Sequence, residues 1–144
     1  MVSFLQSCFL WASLLLATTD TVEISITNIR EAKGTIRAAV FANATDFEQE
    51  KNAVYDEAIP LTSTATIYRQ LPLSGRSSYG IALYQDLNNN GKLDRNSLGI
   101  PKEPYAFSNN PSAKWQAPTF SEIAFVPSEV SGRLQLKLLA WGDR

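Results

Sequence analysis

The sequence predicts a single domain that is almost wholly β. Apolar and polar residues alternate in at least five segments, and this period of two is typical of strands with one buried face. Clusters of Pro, Gly, Asn and Ser separate the segments, and these residues favour turns. The 144 residues suffice for one domain with a buried core. No internal repeat or linker divides the chain.

Four strands are predicted between Val22 and Tyr84. The segments Val22 to Thr27 and Thr35 to Phe41 alternate strictly, so each predicts a half-buried strand. A short turn-rich link joins them, and we expect the two strands to pair as a hairpin or to lie as close neighbours. The Thr-rich segment Leu61 to Gln70 predicts a third strand. Tyr79 to Tyr84 predicts a fourth, central strand.

Thr45 and Glu48 have the spacing of a helix capping box. They predict one or two helical turns that extend through Lys51. A polar loop fits the same residues equally well, so both interpretations stay open. Farther along the chain, Ile123 and Phe125 predict another short strand, and Leu134 to Leu138 predict the last one.

The stretch after the central strand carries oxygen ligands in the pattern of a calcium loop, D-x-N-x-N-G-x-x-D. Its candidate metal ligands are Asp86, Asn88, Asn90, Lys92 and Asp94. Calcium takes about six to eight oxygens, and side chains on alternate residues of a tight turn can converge on one ion. Lys92 would give only its carbonyl, and Gly91 stands where the backbone must turn sharply. The candidate cofactor is therefore calcium.

The same loop departs from a helix-loop-helix calcium site in its last ligand. Ser97 occupies the twelfth position, where such sites use a bidentate Glu. Glu103 would supply a third carboxylate only if the chain folds back. We therefore expect weak binding, with a Kd of about 10⁻⁴ to 10⁻³ M. The alternative is a metal-free turn, because Asn and Gly tolerate left-handed backbone angles.

The residues after the loop are aromatic and apolar but are interrupted by prolines. Pro101, Pro104, Tyr105, Trp115 and Phe120 belong to this long connection. Long structured connections often carry function. Its aromatic side chains would either line a surface groove for a sugar or a peptide, or cap the open end of the sheets.

Composition excludes several classes of function. The net charge is −1 and acids and bases are interspersed, so no nucleic-acid-binding surface is indicated. Histidine is absent, which removes the commonest general base and the commonest zinc ligand. Cys8 is the only cysteine, so the chain forms no internal disulfide.

The first 19 residues carry no charged side chain. A short apolar run that ends in small residues is typical of an export signal, and it is shorter than the roughly 20 residues that span a bilayer. We expect residues 1–19 to be a signal peptide cleaved near Ala17 or Thr19, residues 20–144 to form the β-domain, and the protein to be secreted or periplasmic. No Lys or Arg precedes the apolar run; the alternative is an uncleaved segment that anchors the protein to the membrane.

The run from Leu71 to Asn110 resembles a bacterial family of exported proteins catalogued as domain of unknown function 2141. The shared motifs are a Leu-Pro-x-Gly-like corner at Leu71, Pro72 and Gly75, then Tyr79, the loop Asp86 to Asp94, Leu-Gly-Ile-Pro at Leu98 to Pro101, and Tyr-x-Phe-Ser-Asn-Asn at Tyr105 to Asn110. One departure is that Ser77 and Ser78 separate the corner from Tyr79. The corner, strand and loop also look like prealbumin-like and carboxypeptidase-regulatory-like sandwiches. The resemblance thus implies a Greek-key β-sandwich, prealbumin-like or immunoglobulin-like, of about seven strands, and it implies no known activity.

Three functions are compatible with these residues. The first is a non-enzymatic module of the cell envelope that binds a ligand or partner, with the loop as a structural cation clamp. The second is a hydrolase acting on a glycan through Asp86, Asp94 or Glu103. Against it, acids in an Asn-rich solvated loop have no evident reason for separated pKa values, and Ser97 or Ser108 would lack a histidine partner. The third is a purely structural domain for secretion or assembly. We therefore expect that the protein is not an enzyme.

Overall fold

The computed structural model describes residues 21–75, 77–112 and 116–143. The predicted signal peptide and Trp115 lie outside these ranges. No helix within them is long and apolar enough to cross a membrane.

The described chain contains seven strands and two short α-helices. The strands are β1 (Val22–Thr27), β2 (Thr35–Phe41), β3 (Tyr55–Pro60), β4 (Ile67–Leu71), β5 (Gly80–Asp86), β6 (Tyr105–Phe107) and β7 (Arg133–Lys137). The helices are α1 (Ala44–Gln49) and α2 (Phe120–Ile123), and a 3-10 turn covers Pro127–Glu129. The mostly β fold predicted from the alternating pattern is confirmed.

The strands form two sheets. One has the order β3-β2-β5-β6 and is antiparallel throughout. The other has the order β4-β1-β7, in which β1 is antiparallel to β4 and parallel to β7. Alternate apolar residues of both sheets share one core, in which Ile26, Ile36, Ile81 and Leu136 are completely buried. The arrangement is a β-sandwich.

The predicted pairing of β1 with β2 is wrong, because the two strands belong to different sheets. The link 28–34 crosses between the sheets, and alternation shows that a strand has a buried face without showing which neighbour it pairs with. The third strand is shorter than predicted and covers only Ile67–Leu71. The short strand predicted at Ile123 and Phe125 is also wrong, since Ile123 ends α2 and Phe125 forms only an isolated bridge to Tyr79.

Strand β3 escaped prediction because it is an edge strand with charged residues. Asp56 and Glu57 interrupt its apolar pattern, and charges on an edge oppose pairing with other chains. The helical interpretation after β2 is confirmed as α1, although its cap differs from the predicted one. The side chain of Asn43, rather than Thr45, accepts the backbone N–H of Asp46 at 2.9 Å.

The helices cover one end of the outer face of the four-stranded sheet. Phe47 of α1 packs edge-on against Phe41 and Phe107, with ring centroids 5.7 and 6.2 Å apart. Ile123 of α2 lies so close to β5 that a Cβ on Gly80 would come within 2.7 Å of it. The loop that follows β5 lies at the other end of the sheet, beyond Tyr84.

The motif Ser108-Asn109-Asn110 holds distant parts of the fold together. Ser108 is completely buried; its hydroxyl accepts the N–H of Ile81 and donates to the carbonyl of Ile123. Asn109 donates to the carbonyl of Ala124 at 2.8 Å. Asn110 pairs with the edge of β7, where it donates to Gln135 and accepts from Lys137. We conclude that this motif has a structural role.

Gly34 marks the closest approach of the backbone to the end of β5. Its φ angle is +73°, and an added Cβ would lie 2.0 Å from the carbonyl oxygen of Asp86. Because that neighbour is backbone, it has little freedom to move aside. Gly132 has a similar φ of +78° with nothing within 4 Å, so it provides a matched control.

We expect Gly34→Ala to lower the free energy of unfolding by about 3 to 5 kcal/mol, since a clash adds to left-handed strain. Gly132→Ala is expected to lower the free energy of unfolding only by the cost of left-handed strain, about 1 to 2 kcal/mol. Urea titration of both variants measures the two losses. Equal losses would show that the contact between Gly34 and Asp86 does not constrain the fold.

Candidate functional site

The candidate site begins at Asp86, the last residue of β5. Its side chain is completely buried and lies near Arg37 of β2. One carboxylate oxygen accepts Arg37 Nε at 2.6 Å and the N–H of Gly91 at 2.8 Å. The other oxygen accepts the N–H of Asn90 at 3.0 Å. The carboxylate thus ties the turn of the loop to the neighbouring strand.

The charges of this pair stabilise one another. Burial by itself would raise the pKa of Asp86, but the hydrogen bonds from Arg37, Gly91 and Asn90 outweigh it and hold the pKa below its usual range. The hydrogen bond that Arg37 donates to Asp86 raises the pKa of Arg37. Asp86 is therefore a carboxylate at neutral pH.

Glu103 provides a second brace for the loop, because the chain does fold back. Its side chain is 4% exposed. One oxygen accepts the N–H of Leu87 at 2.8 Å, and the other accepts the N–H of Asp94 at 3.0 Å. The carbonyl of Asp94 in turn accepts the N–H of Lys102 at 2.8 Å. Both ends of the loop are thus fixed to the segment before β6.

Three of the predicted ligands meet through their side chains at the exposed mouth of the loop: Asn88, Asn90 and Asp94. The amide nitrogens of Asn88 and Asn90 donate to the carboxylate of Asp94 at 2.7 and 3.0 Å. Their amide oxygens accept the backbone N–H groups of Asn90 and Lys92. Lys92, which was predicted to contribute its carbonyl, contacts the mouth through its backbone N–H. Within the described ranges, no three His, Cys, Asp or Glu residues form a group that could hold a metal ion.

The predicted ligands therefore form two sets. Asn88, Asn90 and Asp94 meet at the mouth, whereas Asp86 lies deeper and contacts Arg37. Sequence reasoning missed Arg37. A basic residue within the alternating pattern of β2 was a visible signal, but the pattern does not show that β2 lies beside β5.

An aromatic groove lies next to the loop on the same face. Its volume is about 120 Å³, and its lining includes Leu98, Pro101, Tyr105, Phe107, Gln116, Pro118 and Trp141. Tyr105 and Phe107 project from β6 with their rings 5.9 Å apart, and burial raises the pKa of Tyr105. Leu98 is 81% exposed at the rim. The segment that Glu103 fixes supplies one wall of this groove.

Two sheets, a braced loop and an adjacent surface groove define a small β-sandwich. A family model described as an uncharacterized protein conserved in bacteria, DUF2141, matches residues 24–133. The chain belongs to this family, as the motifs between Leu71 and Asn110 predicted. No curated protein and no solved structure matches the chain.

We expect Asp86→Asn to lower stability at pH 7 and to lose this effect in acid. Because folding depresses the pKa of Asp86, its contribution is complete above the unfolded value of about 3.9 and is lost as the pH falls through the lower folded value. The difference between the urea midpoints of wild type and variant should therefore shrink as the pH falls from about 4 to about 2.

Asp94→Asn is the control for this pH series, because its carboxylate accepts only from exposed amides of the loop mouth and should matter less. A constant difference between wild type and Asp86→Asn across the pH series would contradict the ionised pair.

Proposed function

We propose that this chain is a non-enzymatic binding module exported to the bacterial cell envelope, and that the aromatic groove beside the loop is its ligand site. The observation that supports this proposal is the groove itself. Its aromatic and proline side chains lie together at the surface, on elements that the braced loop holds in place. The charge-free segment at residues 1–19 supports the envelope as the location.

The state of the acidic residues supports a binding role over hydrolysis. A glycosidase needs one carboxyl group that is protonated at working pH. Asp86 has a lowered pKa and forms an ion pair with Arg37, so it suits a structural role better than the role of a proton donor. Glu103 directs both oxygens to backbone N–H groups. Ser108, one of the two candidate nucleophiles, is buried, and its hydroxyl is bound on both sides.

The lining of the groove favours a saccharide. The C–H face of a sugar ring packs on aromatic rings such as Tyr105, while its hydroxyls need polar partners. Arg95, Ser112 and Gln116 provide such groups around the same groove. The exposed apolar side chain of Leu98 would add contact area at the rim.

A glycan array probed with the exported protein should reveal at least one ligand. Leu98→Ser should weaken binding of that glycan about five- to thirtyfold, because it removes an apolar contact of about 1 to 2 kcal/mol. Calorimetric titration measures the affinity. Leu98 is exposed, so the variant should fold like the wild type.

Val54→Ser is the matched control, since Val54 is 54% exposed and is not part of the groove lining. Failure to bind any glycan, or equal weakening by Leu98→Ser and Val54→Ser, would refute the groove as a saccharide site.

A second candidate function is weak calcium binding at the loop mouth. The specific observation is that Asn88 and Asn90 already direct their amide groups toward Asp94. A half-turn of each amide would present oxygen in place of nitrogen, and an ion would then replace the amide donors. Asp86 and the carbonyl of Lys92 are the further ligands that this proposal assigns. Asp86 would have to give up a bond to Arg37, Asn90 or Gly91 in order to reach the ion.

We expect about 10 mM calcium to raise the melting temperature by a few degrees, and magnesium to raise it less, because magnesium demands tighter octahedral geometry. At ten times the Kd, stabilisation would be about 1.4 kcal/mol. Asp94→Asn should abolish the shift while leaving the metal-free protein folded. A wild-type melting temperature that is the same in calcium and in chelator would leave the loop as a metal-free turn.

A further inference from the structure

A second and larger cavity lies beside the end of β7, away from the loop. Its volume is about 740 Å³, within the range of about 300 to 1,000 Å³ that is usual for ligand pockets, whereas the aromatic groove at about 120 Å³ is smaller than that range. Its lining consists of Asn28, Arg30, Asn110, Pro111, Ser112, Lys137, Leu139, Gly142 and Asp143. Neither the aromatic groove nor the loop accounts for its charged side chains.

Two cations and one acid face this cavity. The carboxylate of Asp143 accepts the backbone N–H of Ala140 at 2.8 Å and Arg30 NH2 at 2.7 Å. The N–H of Ala140 and then Arg30 hold the pKa of Asp143 below its usual range against the effect of burial. Lys137 forms no ion pair with any residue of the described ranges. The described lining therefore carries an excess positive charge.

Arg30 keeps donor capacity for a ligand. A guanidinium group has five N–H donors, and the bond to Asp143 is the one that Arg30 makes with the described chain. Its side chain is 55% exposed. Ser112 adds a hydroxyl donor to the same cavity. Lysine, arginine and hydroxyl donors around one space suit a group with several acceptor oxygens and a negative charge.

The backbone under Lys137 is held in place from two sides. Asn110 accepts the N–H of Lys137 at 2.8 Å and donates to the carbonyl of Gln135 at 2.6 Å. Asn28 donates to the carbonyl of Leu138, and both asparagines have left-handed backbone angles, with φ of 63° for Asn28 and 43° for Asn110. This rigid frame reduces the entropy that a ligand would lose by ordering the site.

We propose that this cavity binds an oxyanion, the carboxylate or phosphate group of a small ligand, between Lys137 and Arg30. The exposed position of both cations makes the interaction sensitive to salt. Asp143 competes with the ligand for Arg30, so the site is selective for anions that can also use Lys137. The inference is independent of the saccharide groove, which shares only Pro111 and Ser112 with this cavity.

The test is an NMR titration of the protein at low salt with three probes: glucuronate, inorganic phosphate and neutral glucose. Saturable shifts at the side-chain signals of Arg30 and Lys137 are expected with at least one anion, and glucose should produce none. The anion that binds more tightly distinguishes a carboxylate ligand from a phosphate ligand. Lys137→Gln should weaken binding about tenfold, because it removes one charge-assisted hydrogen bond.

Lys51→Gln is the matched control, since Lys51 is an exposed lysine outside the cavity lining, and its affinity should equal that of the wild type. Asp143→Asn should bind the anion more tightly, because it removes the competing carboxylate. Absence of saturable shifts with both anions, or a Lys137→Gln variant that binds as well as the wild type, would overturn the proposal.

Discussion

The buried carboxylate of Asp86 is the constraint on which the loop depends. An ionised group without solvent is stable only when charge and hydrogen bonds replace the lost water. Here Arg37 supplies the charge, and the N–H groups of Asn90 and Gly91 supply further bonds. Those two donors lie in the turn itself, so satisfying the carboxylate also fixes the turn. The close approach of Gly34 to the Asp86 carbonyl oxygen leaves the end of β5 little room to move.

The hydrogen bonds of the loop also determine the shape of the aromatic groove. Glu103 accepts N–H groups on both sides of the loop and so positions the chain that leads from Pro101 into β6. Strand β6 then places Tyr105 and Phe107 on the outer face of the sheet, beside the helical layer. A groove built on short strands and a long connection would otherwise be mobile. We interpret the Asp and Asn residues of the loop chiefly as structural, since they fix the turn beside the aromatic groove.

The sequence was most informative where burial alone determines the structure. Alternation located β1, β2, β5 and β7, because an inward face must be apolar at every second residue. It could not assign β1 and β2 to different sheets, because that depends on contacts between distant segments. For the site, the D-x-N-x-N-G pattern located the turn after β5, and the calcium ligands that it predicts stay a prediction. Its main partners were not readable, since the contact of Arg37 with Asp86 joins residues 49 positions apart.

The central claim is that carboxylates, and not an ion, hold the loop in a single conformation. Amide hydrogen exchange of the metal-free protein, followed by NMR in chelator, tests it most directly. The N–H groups of Leu87, Asn90, Gly91 and Asp94 should exchange much more slowly than that of exposed Asn89, because each donates to Asp86 or Glu103. Exchange of all five at the rate of an unprotected chain would contradict the account.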